Sequence, residues 1–268
     1  MNKRQAGIVL ALSLIISALI ITAGSTGLSS AGLYAKETFN WQVQTQGQDL
    51  INIFLIAPFL FISAVMIFRK IRQGLLLWTG CLLYVIYTYL IYCFDIHFNN
   101  FFIEYCLILG ISFYLCIFSF YVLVKEPYTD APKPRLNKFT GVYFLIVALL
   151  FAFLWLSEIV PAIAGNAIPK TLSDAGLFTN PVEVIDLSVF LPGVFISGIL
   201  LLKRNKFASS MLAPVILTFF ILMDITIAFL TILMVRNGIA TNGSVALFML
   251  IMALVSLILL LLHLKARE

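Results

Sequence analysis

Asp224 is an ionisable residue inside a long apolar run, and it is the strongest candidate for chemistry in this chain. It follows Ala208, where the run begins, by sixteen residues, or about 24 Å along a helix at about 1.5 Å per residue. A charged side chain deep in a membrane helix costs at least about 2.5–3.5 kcal/mol on insertion scales. We therefore predict that Asp224 binds a ligand or a cation; the alternative is a structural, hydrogen-bonded carboxylic acid.

Further polar residues stand near the starts of other apolar runs. Glu183 and Asp186 are three residues apart and so share one face of a helix, and Asp49 and Asn52 have the same spacing. Solvation at the membrane boundary is the simpler explanation for Asp49. The predicted ligand- or cation-binding set is Asp224, Asp186, Glu183, Asn52 and Glu104.

His97 and Asp95 form an Asp-x-His pair, which supplies two of the ligands that a metal ion needs. No second histidine at ligand spacing accompanies them, since His263 lies in the last apolar run. We therefore predict no metal site and favour a turn in which Asn99 and Asn100 satisfy the loop backbone; metal binding by His97 and Asp95 is the alternative. The chain has no Walker A, H-E-x-x-H, G-x-S-x-G or G-x-G-x-x-G motif, so the cofactor and any catalytic residues are unassigned.

The amino-acid composition indicates that membrane-spanning helices position these residues. Hydrophobic residues make up 62% of the chain, charged residues 11%, and the mean hydropathy is +1.07, whereas soluble domains carry about 25% charged residues. Because about 20 apolar residues cross a bilayer as a helix, the sequence predicts an all-α, multi-pass membrane protein. Eight apolar runs are present, at 6–23, 50–68, 74–92, 101–124, 139–157, 184–202, 208–235 and 244–263.

Lysine and arginine predict the orientation. With the N-terminus in the cytoplasm, 14 of the 17 basic residues fall on the inner side, and only Lys36, Lys170 and Arg236 fall outside. Such a bias in short loops follows the positive-inside rule, so both termini are predicted to be cytoplasmic. The net charge of +5 then reflects attraction to an anionic inner leaflet, and nucleic-acid binding is not expected.

One segment of the chain recurs 134 positions later without a gap. Asp49, Asn52, Pro58, Phe61-Ile62-Ser63 and Arg69-Lys70 return as Glu183, Asp186, Pro192, Phe195-Ile196-Ser197 and Lys203-Arg204. This predicts a parallel 4+4 repeat within a single membrane domain, with halves 1–124 and 139–268 and a cytoplasmic linker 125–138. Convergence of apolar helices is the alternative. Pro58 and Pro192 interrupt helical hydrogen bonding and are predicted hinges.

Two long outer loops, 24–48 and 158–183, are also predicted, with Tyr34 and Trp41 as interfacial anchors. The first run is longer than the apolar core of a signal peptide, and its retention is expected.

Seven of the ten tyrosines lie in runs three and four. Packing and interfacial anchoring explain most of these tyrosines, and a hydroxyl-lined wall of a ligand site is the alternative. Cys93 and Cys106 flank an outer turn, where a disulfide is an open alternative.

Three segments carry a resemblance to known sequences. The chain resembles a group of uncharacterised bacterial polytopic integral membrane proteins in residues 180–192, 97–99 and 155–158. The resemblance extends over most of the chain. The resemblance implies a bacterial inner membrane and no particular activity.

Three functions remain open at this point. We favour transport or binding of a small or lipid-like ligand in an outward-facing polar cavity, coupled to protonation or cation binding. The alternatives are a membrane-embedded enzyme acting on a lipid at the outer leaflet, and an accessory or sensor subunit. The expected partners are the lipid bilayer, a small-molecule or lipid ligand, and a second copy of the chain or another membrane protein.

Overall fold

The fold is all-α and multi-pass, as predicted. The structure is a computed structural model that describes residues 1–30, 32–125 and 134–265, and this part of the chain contains no strand. Eight helices are long and apolar enough to cross a membrane. They are α1 (Lys3–Ser29), α2 (Phe39–Phe68), α3 (Gly74–Asp95), α4 (Phe102–Lys125), α5 (Pro134–Ala164), α6 (Pro181–Leu202), α7 (Ala208–Arg236) and α8 (Ser244–Lys265).

The ends of the helices correct several predicted boundaries. α2 begins at Phe39 instead of residue 50, because the glutamine-rich stretch before Asp49 is helical despite its low hydropathy. α5 continues to Ala164, and the second of the predicted outer loops contains the short helix Lys170–Ala175. The predicted interfacial anchors Tyr34 and Trp41 are wrong, since these side chains are 3% and 9% exposed. Residues 126–133 of the predicted linker, and Arg267 of the inner basic set, lie outside the described residues.

Helices α3 and α7 form the centre of the bundle. Their most apolar segments are 67% and 61% buried, against 44% or less for every other spanning helix. They pack against each other, and α2 contacts α7 while α6 contacts α3. Around this centre, α1 packs on α2 as α5 packs on α6, and α3 packs on α4 as α7 packs on α8. Helices α2, α3, α6 and α7 therefore make the main contact between residues 1–124 and residues 139–265, and the short helix Lys170–Ala175 adds a further contact with α2.

Three prolines within the spanning helices each follow a π-helical turn. The segments Asn52–Ile56, Asp186–Phe190 and Ala208–Leu212 precede Pro58, Pro192 and Pro214. Proline has no N–H and its ring crowds the preceding turn, so a widened turn accommodates it. In α2 the Ala57 carbonyl, beside Pro58, accepts a 3.0 Å hydrogen bond from Ser17 Oγ of α1. The two predicted hinges thus lie at widened turns.

Close backbone approaches require glycine at two helix crossings. A Cβ on Gly80 of α3 would lie 2.6 Å from the Val215 carbonyl oxygen and 2.6 Å from Thr218 Cβ, both on α7. At the α5–α6 crossing, a Cβ on Gly141 would lie 2.9 Å from the Gly198 carbonyl oxygen. Small residues let membrane helices approach closely and gain van der Waals contact, so Gly80 sets the distance between the halves.

Candidate functional site

Asp224 is buried in the interior of α7, as its apolar neighbours predict. The residue is 6% exposed, and its Oδ2 atom has no hydrogen-bond partner among the described residues. The carboxylate is close enough to Tyr143 of α5 for an electrostatic interaction, while the Tyr143 hydroxyl lies 2.8 Å from Ser256 Oγ of α8. Asp224 is therefore a buried acid whose hydrogen-bonding capacity is unfilled.

Asp186 lies at the contact between the halves, as the first residue of the widened turn in α6. Tyr87 of α3 donates its hydroxyl to Oδ1 at 3.1 Å, and Trp155 Nε1 of α5 donates to Oδ2 at 2.9 Å. The residue is 8% exposed. Both donors are neutral, so the carboxylate is oriented without being neutralised by a basic side chain.

Asn52 occupies the position in α2 that corresponds to Asp186, and it is 1% exposed. Its Oδ1 accepts a 2.9 Å hydrogen bond from Gln48 Nε2, whereas its Nδ2 has no partner in the described structure. Gln48 Nε2 also lies 2.9 Å from the Tyr84 hydroxyl, which lies 2.7 Å from Thr226 Oγ1 of α7. Because Thr226 donates to the Leu222 carbonyl, Tyr84 is the donor in this pair, and it connects the two halves.

Glu183 and Glu104, the other predicted site residues, have local partners. Asn180 Nδ2 donates to Glu183 Oε1 at 2.9 Å, at the N-terminus of α6, where an acidic side chain favourably opposes the helix dipole. The Thr22 hydroxyl of α1 donates to Glu104 of α4. Asp186 and Glu104 therefore have different hydrogen-bond partners, and Asp224 Oδ2 has none among the described residues. Their convergence on one cavity stays a prediction.

The Asp49 cluster, in which the hydroxyls of Tyr34 and Tyr92 surround the buried carboxylate of Asp49, was not anticipated from the sequence. Asp49 is 1% exposed and accepts hydrogen bonds from the Tyr34 hydroxyl at 2.8 Å and the Tyr92 hydroxyl at 2.7 Å. Gly27 of α1 makes room for it, since a Cβ there would lie 2.1 Å from Asp49 Oδ2. Burial raises the pKa of Tyr34, and the Asp49 charge raises it further, so Tyr34 remains a protonated donor. The boundary-solvation interpretation of Asp49 is therefore wrong.

His97 pairs with Glu37, a residue outside the Asp-x-His pattern. Glu37 accepts from the His97 backbone N–H at 2.8 Å, and its other oxygen lies 3.0 Å from His97 Nδ1. The Asp95 Oδ2 atom is buried and has no partner in the described structure. No three histidine, cysteine or acidic residues within 1–30, 32–125 and 134–265 are arranged to hold a metal ion. Cys93 and Cys106 are free thiols.

Aromatic rings fill the space between the two halves beside Asp186. Phe190 and Phe219 have ring centroids 3.9 Å apart, and Tyr87 lies 6.0 Å from Phe190 and 5.8 Å from Phe219. Phe220 extends this layer to Tyr143, at 6.1 Å. The layer thus links the donor of Asp186 to the aromatic neighbour of Asp224.

The three buried aspartates share an electrostatic feature. Asp49 accepts hydrogen bonds from two tyrosines, Asp186 accepts them from a tyrosine and a tryptophan, and Asp224 interacts electrostatically with Tyr143. Within the described chain, none of the three forms an ion pair with a lysine or arginine.

Comparison of the chain with protein-family models, curated proteins and solved structures gives no match.

Proposed function

We propose that the protein is a membrane transporter or ligand-binding protein in which buried carboxylates couple protonation or cation binding to movement of two like halves. The observation that carries this proposal is Asp224, buried within α7 with an oxygen atom that has no partner in the described chain. An uncompensated charge there is expensive. A proton or a bound cation on the carboxylate relieves that cost. Binding or release of the proton or cation at Asp224 therefore changes the relative free energies of different arrangements of the surrounding helices.

Movement is assigned to the widened turns that precede Pro58 and Pro192. The segments Asn52–Ile56 and Asp186–Phe190 begin 134 positions apart, as do the prolines. Lys70 and Arg204, also 134 positions apart, both adopt left-handed backbone conformations, with φ of 61° and 58°. Non-glycine residues seldom adopt positive φ, so this agreement is difficult to attribute to convergence of apolar sequence.

These agreements support an internal duplication with four spanning helices in each half. Because four is an even number, both copies then point the same way, and the axis that relates them runs along the membrane normal. The basic residues support cytoplasmic termini, and the resemblance supports a bacterial inner membrane. In this arrangement the ligand site lies between the halves, where α2, α3, α6 and α7 meet.

Distance measurements between the halves test this coupling without knowledge of the ligand. Spin labels are placed at Phe98 and Phe178, which lie in outer loops of different halves and are 74% and 101% exposed, in a background lacking Cys93 and Cys106. We expect the distance distribution in lipid nanodiscs to shift between acidic and alkaline buffer, or on adding sodium. Asp224→Asn should remove the shift, because the amide is isosteric with the acid but does not titrate.

Asp174→Asn is the matched control for this measurement, because Asp174 lies exposed in the short outer helix. It should leave the shift unchanged. A distribution that ignores both pH and sodium in the unmodified protein contradicts the proposal. So does a shift that persists in Asp224→Asn.

A further inference from the structure

A polar seam runs between α5, α7 and α8. It consists of side chains that hydrogen-bond in pairs across these helices: Asn137, Thr140, Tyr143, Ser209, Ser256 and His263. It begins at the end of the bundle where α5 starts and α8 ends, with Thr140 Oγ1 3.0 Å from His263 Nε2. Beside this pair, the Ser209 hydroxyl of α7 donates to Asn137 Oδ1 at 2.6 Å. All four side chains are buried, so polar groups of three helices meet inside this end of the bundle.

The polar seam continues from Thr140 to Tyr143, three residues later on the same face of α5. The Tyr143 hydroxyl lies 2.8 Å from Ser256 Oγ of α8 and donates to the Met252 carbonyl at 3.3 Å. Helical side chains point toward the N-terminus of their own helix, so the His263 ring leans toward Ser256, which is seven residues earlier on α8. The two hydrogen-bonded pairs of α5 and α8 are therefore neighbours.

The packing of α7 on α8 brings Asp224 to the level of Tyr143. Helices α7 and α8 are an antiparallel pair, and Ala228 of α7 packs with Met249 of α8. Asp224, one turn before Ala228, is therefore level with Met252, whose carbonyl accepts the hydrogen bond from Tyr143. The electrostatic interaction between Asp224 and Tyr143 agrees with this register. The polar seam thus ends at the Asp224 carboxylate, whose Oδ2 atom has no partner in the described chain.

The same helix pairs form in the other half without these polar groups. α1 packs on α4 as α5 packs on α8. The positions 134 residues before Thr140, Tyr143, Asp224 and Ser256 hold Ala6, Val9, Leu90 and Val122. Buried polar groups are expensive within a membrane, and the packing of the helices does not require them. The polar seam therefore serves a role that is specific to the second half.

We propose that the polar seam is a proton path between this end of the bundle and the Asp224 carboxylate. Imidazole and hydroxyl groups both accept and donate hydrogen bonds, so each takes up a proton on one side and releases another on the other side. Chains of such groups carry protons through membrane proteins. The inference rests on the proposed coupling at Asp224 and assigns the route by which its proton arrives.

Each link of the path gains one proton and loses one. The His263 ring accepts a proton at the end of the bundle and releases one to the Thr140 hydroxyl. The Tyr143 and Ser256 hydroxyls, with water joining them to the first pair, pass a proton on. The Asp224 carboxylate accepts it and becomes a neutral acid.

The charged groups around the path favour one direction of entry. Asp224, Tyr143 and His263 are the titratable groups of the path, and Tyr84 and Tyr87 of α3 face α7 from the opposite side. The charged residues described at the outer end of the seam are exposed and basic: Arg135, Lys138, Lys203, Arg204, Lys206 and Lys265. The path therefore opens on the side that the positive-inside rule favours as cytoplasmic.

Hydrogen–deuterium exchange of the Asp224 acid tests this path, because deuteration shifts its infrared carbonyl band to lower frequency. The protein in lipid is mixed with D₂O buffer at an acidic pD that keeps Asp224 protonated, and the band is identified by its loss in Asp224→Asn. Thr140→Val and Tyr143→Phe each remove one hydroxyl and keep the shape of the side chain. Both should slow the exchange at least about tenfold, since positioned proton-transfer groups contribute about 10²–10⁴-fold to rates.

His263→Gln and a matched pair of serine variants provide further criteria. The glutamine keeps an amide for the hydrogen bond to Thr140 but does not relay protons, so exchange should slow. Ser256→Ala should also slow it, whereas Ser119→Ala should not, because Ser119 is an equally buried serine of α4 that donates to its own helix at the Cys116 carbonyl. A packing defect would admit water and accelerate exchange, so slower exchange identifies the path.

The inference is overturned if Thr140→Val, Tyr143→Phe and His263→Gln leave the exchange rate unchanged or raise it. It is also overturned if Ser119→Ala slows exchange as much as Ser256→Ala. Elution profile and thermal stability verify the folding of every variant. Either result, with a distance shift that still depends on Asp224, rejects the path alone. The absence of an Asp224 acid band at every pH rejects the path, and a distance shift that persists in Asp224→Asn rejects the proposed function as well.

Discussion

Gly80→Val is expected to lower the apparent Tm of the purified protein by roughly 6–12 °C, from about 3 kcal/mol of lost stability at about 2–4 °C per kcal/mol. The added Cβ would lie 2.6 Å from the Val215 carbonyl oxygen and 2.6 Å from Thr218 Cβ. A backbone carbonyl inside α7 cannot move away without disturbing its helix. The strain therefore separates α3 from α7, which form the centre of the bundle, and the yield of folded protein should fall as well.

Gly110→Val is the matched control for this substitution. Gly110 also lies within a spanning helix, α4, but an added Cβ there meets no atom within 4 Å. Its effect should stay within about 1 kcal/mol, the range of helix propensity differences. Thermal unfolding in detergent, followed by size-exclusion chromatography, measures both variants. Equal Tm values for Gly80→Val and Gly110→Val would show that the α3–α7 crossing is not tightly packed.

The combined substitution of Tyr34 and Tyr92 by phenylalanine is expected to have a similarly large effect. It removes both hydroxyl donors from Asp49, which is 1% exposed. Hydrogen bonds to charged groups contribute about 1.5–3 kcal/mol each, so the double variant should lose about 3 kcal/mol or more. The two losses share one acceptor and are not expected to be additive.

A third substitution distinguishes a stranded carboxylate from a simple packing defect. Adding Asp49→Leu to the double variant should recover part of the lost stability, because it removes the buried acid that the phenylalanines leave without donors. Tyr114→Phe, at a position 73% exposed, should leave the Tm unchanged. A triple variant less stable than the double variant contradicts this role of the tyrosine donors. Apparent Tm values of all the variants are compared in one detergent.

The membrane class and the eight spanning helices were predictable because hydropathy is a local property of sequence. The start of α2 was not, because the glutamines before Asp49 lower the hydropathy of residues 39–49. Those residues nevertheless continue the helix, and this N-terminal part of α2 packs against α7. Residues 39–49 are therefore part of a spanning helix because they are buried between helices, whereas their composition alone predicted a loop.

The candidate site was predictable only in part, for a related reason. The burial of Asp224 follows from its apolar neighbours on the same helix. The partners of Asp186 lie 99 positions away at Tyr87 and 31 positions away at Trp155, and no spacing rule connects them. The Asp49 cluster had a signal that was available in the sequence. Tyr84, Tyr87 and Tyr92 lie close to one face of α3, and a ladder of hydroxyl donors requires acceptors on the facing helices.

Infrared difference spectroscopy during a pH titration measures most directly whether Asp224 changes its charge state. We expect the protein in lipid to show the carbonyl stretching band of a protonated carboxylic acid, which disappears on raising the pH or on adding sodium. The band should be missing in Asp224→Asn and unchanged in Asp174→Asn. A spectrum in which Asp224→Asn removes no titrating or sodium-sensitive band would contradict the proposed coupling, because the buried acid would then keep one charge state throughout.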